Sequence, residues 1–248
     1  MGQLDGKRAI VTGGASGFGK VISQALAREG ASVAVWDVRK EGAEGTAKTV
    51  EAAGGKATGV AVDVSDSASV QMAMAQSVEA LGGVDIMVNC AGVMYRTPII
   101  EMPVEEWTQV ISINLTGMFL CCQAVSRQMI EQGTGGKIVN FASGRGVTGS
   151  VNSAHYAASK GGVLAFTTTL GMEVAPHGIN ANSICPGATD TPMMRGGLTE
   201  EQVQSRMSSD VPYNKRIGKP EDIIGPILFL VSESSKDMYG QTLFIKTP

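Results

Sequence analysis

The chain reads as a three-layer α/β protein: a doubly wound, mostly parallel sheet of seven strands with helices on both faces. Three observations predict this. Apolar runs of strand length recur along the 248 residues, and a segment of helix length follows nearly every one. The runs are continuous in Val, Ile and Ala instead of alternating, which suits parallel strands buried on both faces. The 32 glycines cluster where strands turn into helices. In order, Lys7–Thr12 (KRAIVT) is the first strand, followed by a glycine-rich turn and a helix to about Glu29. Ser32–Asp37 (SVAVWD) is the second strand and Glu41–Ala53 the next helix. Ala57–Val62, Val84–Asn89, Lys137–Ala142 and Ile179–Cys185 continue the series, with amphipathic stretches between them, and Gln241–Ile245 closes it. Strands separated by helices require right-handed crossovers. No repeat or Pro/Ser-rich linker interrupts the pattern, so one domain is expected over residues 1–248.

Composition narrows the classes. Apolar residues are 43% and charged residues 17%, enough for a packed core. A formal charge of −3 with scattered Lys and Arg leaves no basic footprint, so nucleic acid is not an expected partner. Two histidines (His155, His177) and four cysteines (Cys90, Cys121, Cys122, Cys185) show no ligand spacing, and no metal is expected. The cysteines lie in apolar segments and read as small buried hydrophobes. MGQLDGKR runs straight into a strand without an apolar signal region, and no apolar run reaches spanning length. A cytoplasmic protein without membrane contact is the expectation.

In such a sheet ligands bind beyond the carboxyl ends of the strands, and the informative motifs all lie there. The first turn reads Thr12-Gly13-Gly14-Ala15-Ser16-Gly17-Phe18-Gly19. Glycine permits positive φ and close approach of a backbone to a pyrophosphate, and the following helix offers unpaired N–H groups. A glycine cluster alone can be a mere tight turn; here it follows a strand and opens a helix, as dinucleotide binding requires. Asp37 ends the second strand, where a carboxylate accepts from both adenosine ribose hydroxyls and repels the 2′-phosphate of NADP. NAD is therefore expected over NADP, although Arg39 nearby could bind a phosphate. Asp63-Val64 ends the third strand, positioned to meet the adenine. Asn89-Cys90-Ala91-Gly92 ends the fourth and places small residues where the cofactor must pass.

Tyr156-Ala157-Ala158-Ser159-Lys160 opens a helix running to about Val174. Residues at i and i+4 share a helix face, so Lys160 stands beside Tyr156. Lowering a phenol from about 10 to about 7 takes roughly 4 kcal/mol, which one cation at about 4 Å provides at an effective dielectric near 20. The expectation is a Tyr156 made acidic by Lys160. Tyr156 alone of the four tyrosines has a lysine four residues on. Ser143, at the end of the Lys137–Ala142 strand, can hold a substrate oxygen.

With these residues in view the sequence resembles the compact, single-domain branch of the short-chain dehydrogenase/reductase family over essentially its whole length. The pattern Thr-Gly-x-x-x-Gly-x-Gly falls on Thr12 to Gly19, and the Ser–Tyr–Lys triad on Ser143, Tyr156 and Lys160. The resemblance implies a catalytic Asn114, within Ile111-Ser112-Ile113-Asn114, that holds a water linking the lysine to solvent. It implies a Pro-Gly turn at Pro186-Gly187, with Thr189 and Thr191 at the nicotinamide end, and a Lys160 that also binds the nicotinamide ribose. The cofactor half would be about residues 1–135 and the catalytic and substrate half about 136–248. Three departures stand out: Phe18 replaces an aliphatic residue in the turn, Cys90 replaces the second Asn of Asn-Asn-Ala-Gly, and the Phe244–Pro248 end lacks the acidic, glycine-rich tail of many relatives.

The expected reaction is NAD-dependent oxidation of a secondary alcohol, or reduction of a ketone in reverse. The substrate pocket is expected between Met94 and Tyr95, the Gly144–His155 loop, and a variable segment from Met193 to about Tyr213. Arg145 and Arg195 read first as solvated surface arginines, with an anionic substrate group as the alternative; His155 either lines the pocket or is structural. Rival readings are a 3-oxoacyl-carrier-protein reductase using NADPH, against which Asp37 and a sequence pI near 5.5 both argue, and a catalytically dead dinucleotide sensor, against which the intact triad argues. A nucleotide-sugar epimerase needs a longer substrate domain. The apolar Glu105–Ile130 and His155–Val174 helices, which in relatives pack on a symmetry mate, lead to an expected homotetramer.

Overall fold

The structure, a computed structural model, describes residues 2–196, 199, 201–203 and 217–245. Its strands are β1 (Arg8–Thr12), β2 (Ser32–Asp37), β3 (Lys56–Ala61), β4 (Ile86–Asn89), β5 (Gly136–Phe141), β6 (Ile179–Cys185) and β7 (Thr242–Phe244). They form one sheet in the order β3-β2-β1-β4-β5-β6-β7, with every pair parallel. The order reverses between β1 and β4, and the crevice for a ligand opens at that switch point. The helices are α1 (Gly17–Arg28), α2 (Lys40–Ala52), α3 (Ser67–Leu81), α4 (Val104–Ile111), α5 (Met118–Gln132), α6 (Arg145–Thr148), α7 (Ala154–Val174), α8 (Pro192–Arg195) and α9 (Ile224–Val231).

Two cores explain the continuous apolar strands. Ile10, Trp36, Met87 and Ile138 pack on one face with Cys121, Val125 and Val163 of α5 and α7. Val11, Val33, Val88, Val139 and Ile184 pack on the other with Ile22, Leu26, Ile227 and Leu230 of α1 and α9. Successive strand residues point to opposite faces, so burial of both faces demands an apolar residue at nearly every position. Trp36, fully buried, donates its indole N–H to Ser77 on α3 at 2.8 Å. Across the sheet's other end, Arg8 forks onto Asp85 through Nε and Nη2, both at 2.8 Å, and ties the starts of β1 and β4 together.

Between α4 and α5 the backbone widens into a π-helical stretch, Ser112–Gly117, so that Val104–Gln132 is one continuous helix of 29 residues. By length and hydropathy alone it is able to cross a membrane, which corrects the expectation that nothing reaches spanning length. The apolarity belongs to the sheet: Cys121, Cys122, Val125 and Met129 are fully buried against it.

Candidate active site

The glycine turn takes the conformation its residues allow. Gly13 and Gly17 have φ of 65° and 51°, values that only glycine adopts readily. A Cβ at Gly19 would lie 2.2 Å from the carbonyl oxygen of Gly13, so the third glycine lets α1 pack directly on the turn. A Cβ at Gly17 would meet nothing closer than 3.7 Å, which leaves the backbone edge at the start of α1 open. Ser16 precedes that helix without capping it by its side chain, so the first N–H groups of α1 are not taken by that hydroxyl. Such a cradle fits the pyrophosphate of a dinucleotide.

Asp37 is held beside the cradle. Its Oδ2 accepts the N–H of Ala15 and its Oδ1 the N–H of Arg39, each at 3.0 Å. Arg39 reaches back with Nε to Asp37 (3.4 Å) and Nη2 to Ser16 Oγ (3.3 Å). Asp63 is exposed beyond β3, with Oδ1 accepting from the Ser65 hydroxyl and amide; Val64 is buried. Thr12 Oγ1 accepts the N–H groups of Cys90 and Ala91, at 3.0 Å each, and holds the exit of β4 against the turn. The Asn89 side chain points into the core instead, donating to Asn140 Oδ1 at 2.8 Å and to Cys122 Sγ, so only its backbone is left for a cofactor.

The other half of the cleft is built on α7. Tyr156 sits in its first turn and Lys160 one turn later, on the same face, with the ammonium 5.7 Å from the centre of the phenol ring. Ser143, just beyond β5, lines the same cleft as the Tyr156 phenol and is near enough to favour its ionised form. Asn114 lies in the π-helical stretch, where widened turns often mark functional positions. Its amide clamps Val93 in both directions, at 2.8 and 2.9 Å, and donates to Ser159 Oγ at 3.3 Å; Ser159 in turn donates to the carbonyl of Tyr156 at 2.8 Å. Gly161 and Gly162 follow the lysine for a steric reason. A Cβ at Gly162 would stand 2.7 Å from Leu115 Cδ2, and one at Gly146 would stand 2.6 Å from the backbone of Lys160 and Gly161. The absence of side chains there lets both the π-helical stretch and the Ser143 loop close onto the turn that carries Lys160.

The electrostatics depart from the expectation of an acidified phenol. Burial pushes the Tyr156 phenol above its ordinary value, and the Ser143 hydrogen bond and the Arg145 charge offset this only in part. Burial also pushes Lys160 down, to about 8. Its ammonium donates to the carbonyl of Phe141 at 2.6 Å, and among the described residues the charges that act on it come from the thiols of Cys90 and Cys185. The attraction between phenolate and ammonium does not cover the cost of burying both.

Residues 7–202 match the short chain dehydrogenase family. The chain belongs to that family. Relatives include a sorbitol dehydrogenase of Cereibacter sphaeroides, 35% identical over 97% of this chain and 96% of that one. A 3-oxoacyl-(acyl-carrier-protein) reductase of Thermotoga maritima is 36% identical over 98% of this chain and 97% of its own. Among solved structures, a short-chain type dehydrogenase/reductase from Mycobacterium marinum superposes with a TM-score of 0.92 at 34% identity, covering 98% of this chain and 95% of that one. The protein is thus a short-chain oxidoreductase of a family that uses nicotinamide dinucleotides.

In this short-chain dehydrogenase the cleft has a volume of about 520 Å³. Phe18, Ser143, Tyr156, Lys160, Pro186, Gly187, Thr189 and Thr191 line it, as do Met94, Arg145 and Met193 of the expected substrate pocket. Phe18 packs against Phe141 with ring centres 5.3 Å apart and planes tilted by 44°, so the larger residue in the turn has a partner at the end of β5. Gly92 lies under Met193, whose Cε would be 3.7 Å from a Cβ there.

Two expected pocket residues are not among the described lining. Tyr95 alternates with Met94 and Arg96, which both face the cleft, and its carbonyl accepts from Ser153 Oγ. His155 is fully buried: Nδ1 accepts the N–H of Tyr156 at 2.9 Å and Nε2 meets Glu106 at 3.0 Å. Since Nδ1 accepts, the proton is on Nε2 and goes to Glu106; the ring braces the start of α7. Arg195 pairs with Asp190 through Nε and Nη2 and is not in the described lining. Of the expected Met193–Tyr213 wall, residues 197, 198, 200 and 204–213 lie outside the described residues. Arg96 was missed from the sequence; it shares the cleft side of the extended segment beyond β4 with Met94, two residues before it. Among the described residues, no three His, Cys, Asp or Glu side chains converge as a metal site.

Proposed function

We propose that the chain oxidises a secondary alcohol with NAD and reduces the corresponding ketone in the reverse direction. The observation that carries this reading is that Ser143, Tyr156 and Lys160 line one cleft, with the Lys160 ammonium 5.7 Å from the centre of the phenol ring. When bound, the nicotinamide ring supplies the hydride acceptor. Tyr156 takes the hydroxyl proton of the substrate, and Ser143 donates to the substrate oxygen and keeps it in register. Lys160 stabilises the phenolate, and Asn114 holds Val93 and α7 at their spacing. The glycine turn with Ser16, Ala91, Gly92, Pro186, Gly187, Thr189 and Thr191 would hold the dinucleotide, and Asp63 and Val64 its adenine. Tyr156→Phe should lower kcat by about 10²–10⁴-fold while leaving dinucleotide binding in place; near-normal turnover refutes the assignment.

Asp37 supports NAD, because two backbone N–H groups hold its carboxylate beside the turn. One observation favours NADP: the Arg39 guanidinium bridges Asp37 and Ser16 at the same place. Initial rates with the two dinucleotides separate the readings, and faster reaction with NADPH would also revive the carrier-protein reductase alternative.

We further read the chain as a cytoplasmic homotetramer. Its four cysteines are free thiols, as suits a reducing compartment. Trp107, Phe119 and Met172 leave apolar side chains exposed on α4, α5 and α7, which supports burial against a second copy. Light scattering that finds a monomer overturns the assembly.

A further inference from the structure

Proton transfer at Tyr156 makes no direct use of His155, its neighbour in the chain. The imidazole is wholly enclosed and spends both ring nitrogens: Nδ1 accepts the Tyr156 N–H at 2.9 Å, and Nε2 donates to Glu106 Oε1 at 3.0 Å. That N–H is a special one. The first backbone bond of α7 runs from the Ala157 N–H to the Ser153 carbonyl at 2.9 Å, so the Tyr156 N–H, one residue earlier, has no acceptor within the helix. A serine at the helix start ordinarily takes such a group with its hydroxyl. Ser153 makes no side-chain cap, because its Oγ donates to the Tyr95 carbonyl at 3.3 Å. The imidazole of His155 fills the capping role from within the first turn.

The ring is fixed from two further directions. Glu106 on α4 holds its far nitrogen, and the Tyr95 ring lies against it with centres 6.4 Å apart and planes tilted by 44°. The segment beyond β4, α4 and the start of α7 therefore meet at His155, one residue from the phenol that faces the cleft. Helix ends fray where their first N–H groups lack partners, and here the first turn carries the reacting group. Resting on the alcohol dehydrogenase reading above, we propose that His155 is a positioning residue: held by Glu106, it caps the Tyr156 N–H and fixes the catalytic phenol in the cleft beside Ser143 and Lys160. Misplacing a reacting group by about 1 Å costs about 10²-fold in rate.

The test joins kinetics to titration of the phenol. NAD-linked turnover is measured with cyclohexanol, sorbitol and methyl 3-hydroxybutyrate. His155→Leu should lower kcat by about 10²-fold, with KM within about twofold and NADH affinity, read by fluorescence, unchanged. His155→Asn should restore kcat to within about fivefold of wild type, because its amide oxygen stands near the place of Nδ1 and accepts the same N–H. Glu106→Leu, at a side chain partly open to solvent, should lower kcat by about tenfold, and it decides the matter if His155→Leu does not fold. A residue that only fills the core predicts losses shared among kcat, KM, NADH affinity and Tm, with no rescue by asparagine; that pattern overturns the proposal. So does a kcat within about twofold of wild type in His155→Leu or, where that variant does not fold, in Glu106→Leu. The second arm needs no substrate. The tyrosinate absorbance of Tyr156, assigned by difference from the same variants carrying Tyr156→Phe, should shift by at least about half a pH unit in His155→Leu and return in His155→Asn; an unmoved titration overturns the proposal even where kcat falls. A wild type that turns over none of the three alcohols with NAD or NADP refutes the dehydrogenase reading, and the titration alone then decides whether His155 places the phenol.

Discussion

Gly146→Ala tests whether the loop carrying Ser143 is positioned by steric contact with α7. The new Cβ would lie 2.6 Å from the Gly161 nitrogen and the Lys160 carbonyl carbon, and 2.9 Å from the Lys160 oxygen. Ordinary contact between such atoms needs about 3.5 Å or more, so a displacement of about 1 Å is forced. The obstructing atoms are backbone within a buried helix, whereas the loop is half-exposed; the loop is what moves. The motion passes to Ser143, because the Gly146 N–H donates to the Ser143 carbonyl at 2.9 Å. Misplacing a reacting group by about 1 Å can cost about 10²-fold in rate, and overpacking costs about 1–3 kcal/mol of stability. We expect kcat to fall by about two orders of magnitude, with a circular dichroism spectrum of unchanged shape and a lower Tm. Gly144→Ala is the control: a Cβ there has nothing within 4 Å, and its φ of −55° suits alanine. If Gly146→Ala keeps kcat within a factor of about two, or if Gly144→Ala loses as much, contact with α7 does not position Ser143.

Three further outcomes are expected. Burial raises the Tyr156 phenol, so in the protein without dinucleotide the tyrosinate absorbance assigned by difference from Tyr156→Phe should appear only above about pH 10; ionisation near neutrality in that state would contradict the site's electrostatics. Asp37→Ser should raise the ratio of NADP to NAD use by one to two orders of magnitude, since a carboxylate about 5 Å from a phosphate costs roughly 3 kcal/mol at an effective dielectric near 20; an unchanged ratio in initial-rate assays removes Asp37 as the discriminator. Burial alone would raise the Asp85 carboxyl, but the Arg8 bonds outweigh it and hold the group below its ordinary value. The pair's contribution is therefore present above the unfolded value near 3.9 and lost as pH falls through the folded one. Asp85→Asn should lower stability by about 1.5–3 kcal/mol at neutral pH, and urea titrations should show the gap to wild type closing toward about pH 3; a gap independent of pH excludes the ion pair as its source.

The sheet was legible because burial on both faces leaves a simple trace: every strand predicted from a continuous apolar run is present, with ends shifted by no more than two residues. Tyr156 and Lys160 were legible because i and i+4 share a helical face whatever surrounds them. Three things were not. The π-helical stretch around Asn114 arises from packing on Gly162 and the Val93 backbone, partners 21 or more residues away, and Ser-Ile-Asn-Leu-Thr-Gly carries no local mark of it. Which of Met94, Tyr95 and Arg96 faces the cleft depends on the phase of an extended segment, and the sequence leaves that phase open. His155 is next to Tyr156 in the chain but is turned inward by Glu106, a contact across 49 residues.

The sign of the Tyr156 shift was illegible for a deeper reason: it depends on what is missing near Lys160. A buried lysine beside a buried tyrosine acidifies it only while the lysine remains charged, and a lysine keeps its charge in a low-dielectric site only with a compensating anion. Among the described residues, thiols stand where a carboxylate would do that work. Cys90, in the place of an asparagine in the family pattern, and Cys185, at the end of β6, both act on Lys160, yet burial raises both thiols and keeps them neutral at physiological pH. Any anion that enters beside these groups returns Lys160 toward its ordinary value and so strengthens its pull on the phenol. The acidity of Tyr156 is thus coupled to the charge state of that one ammonium, which burial and the two neutral thiols together set.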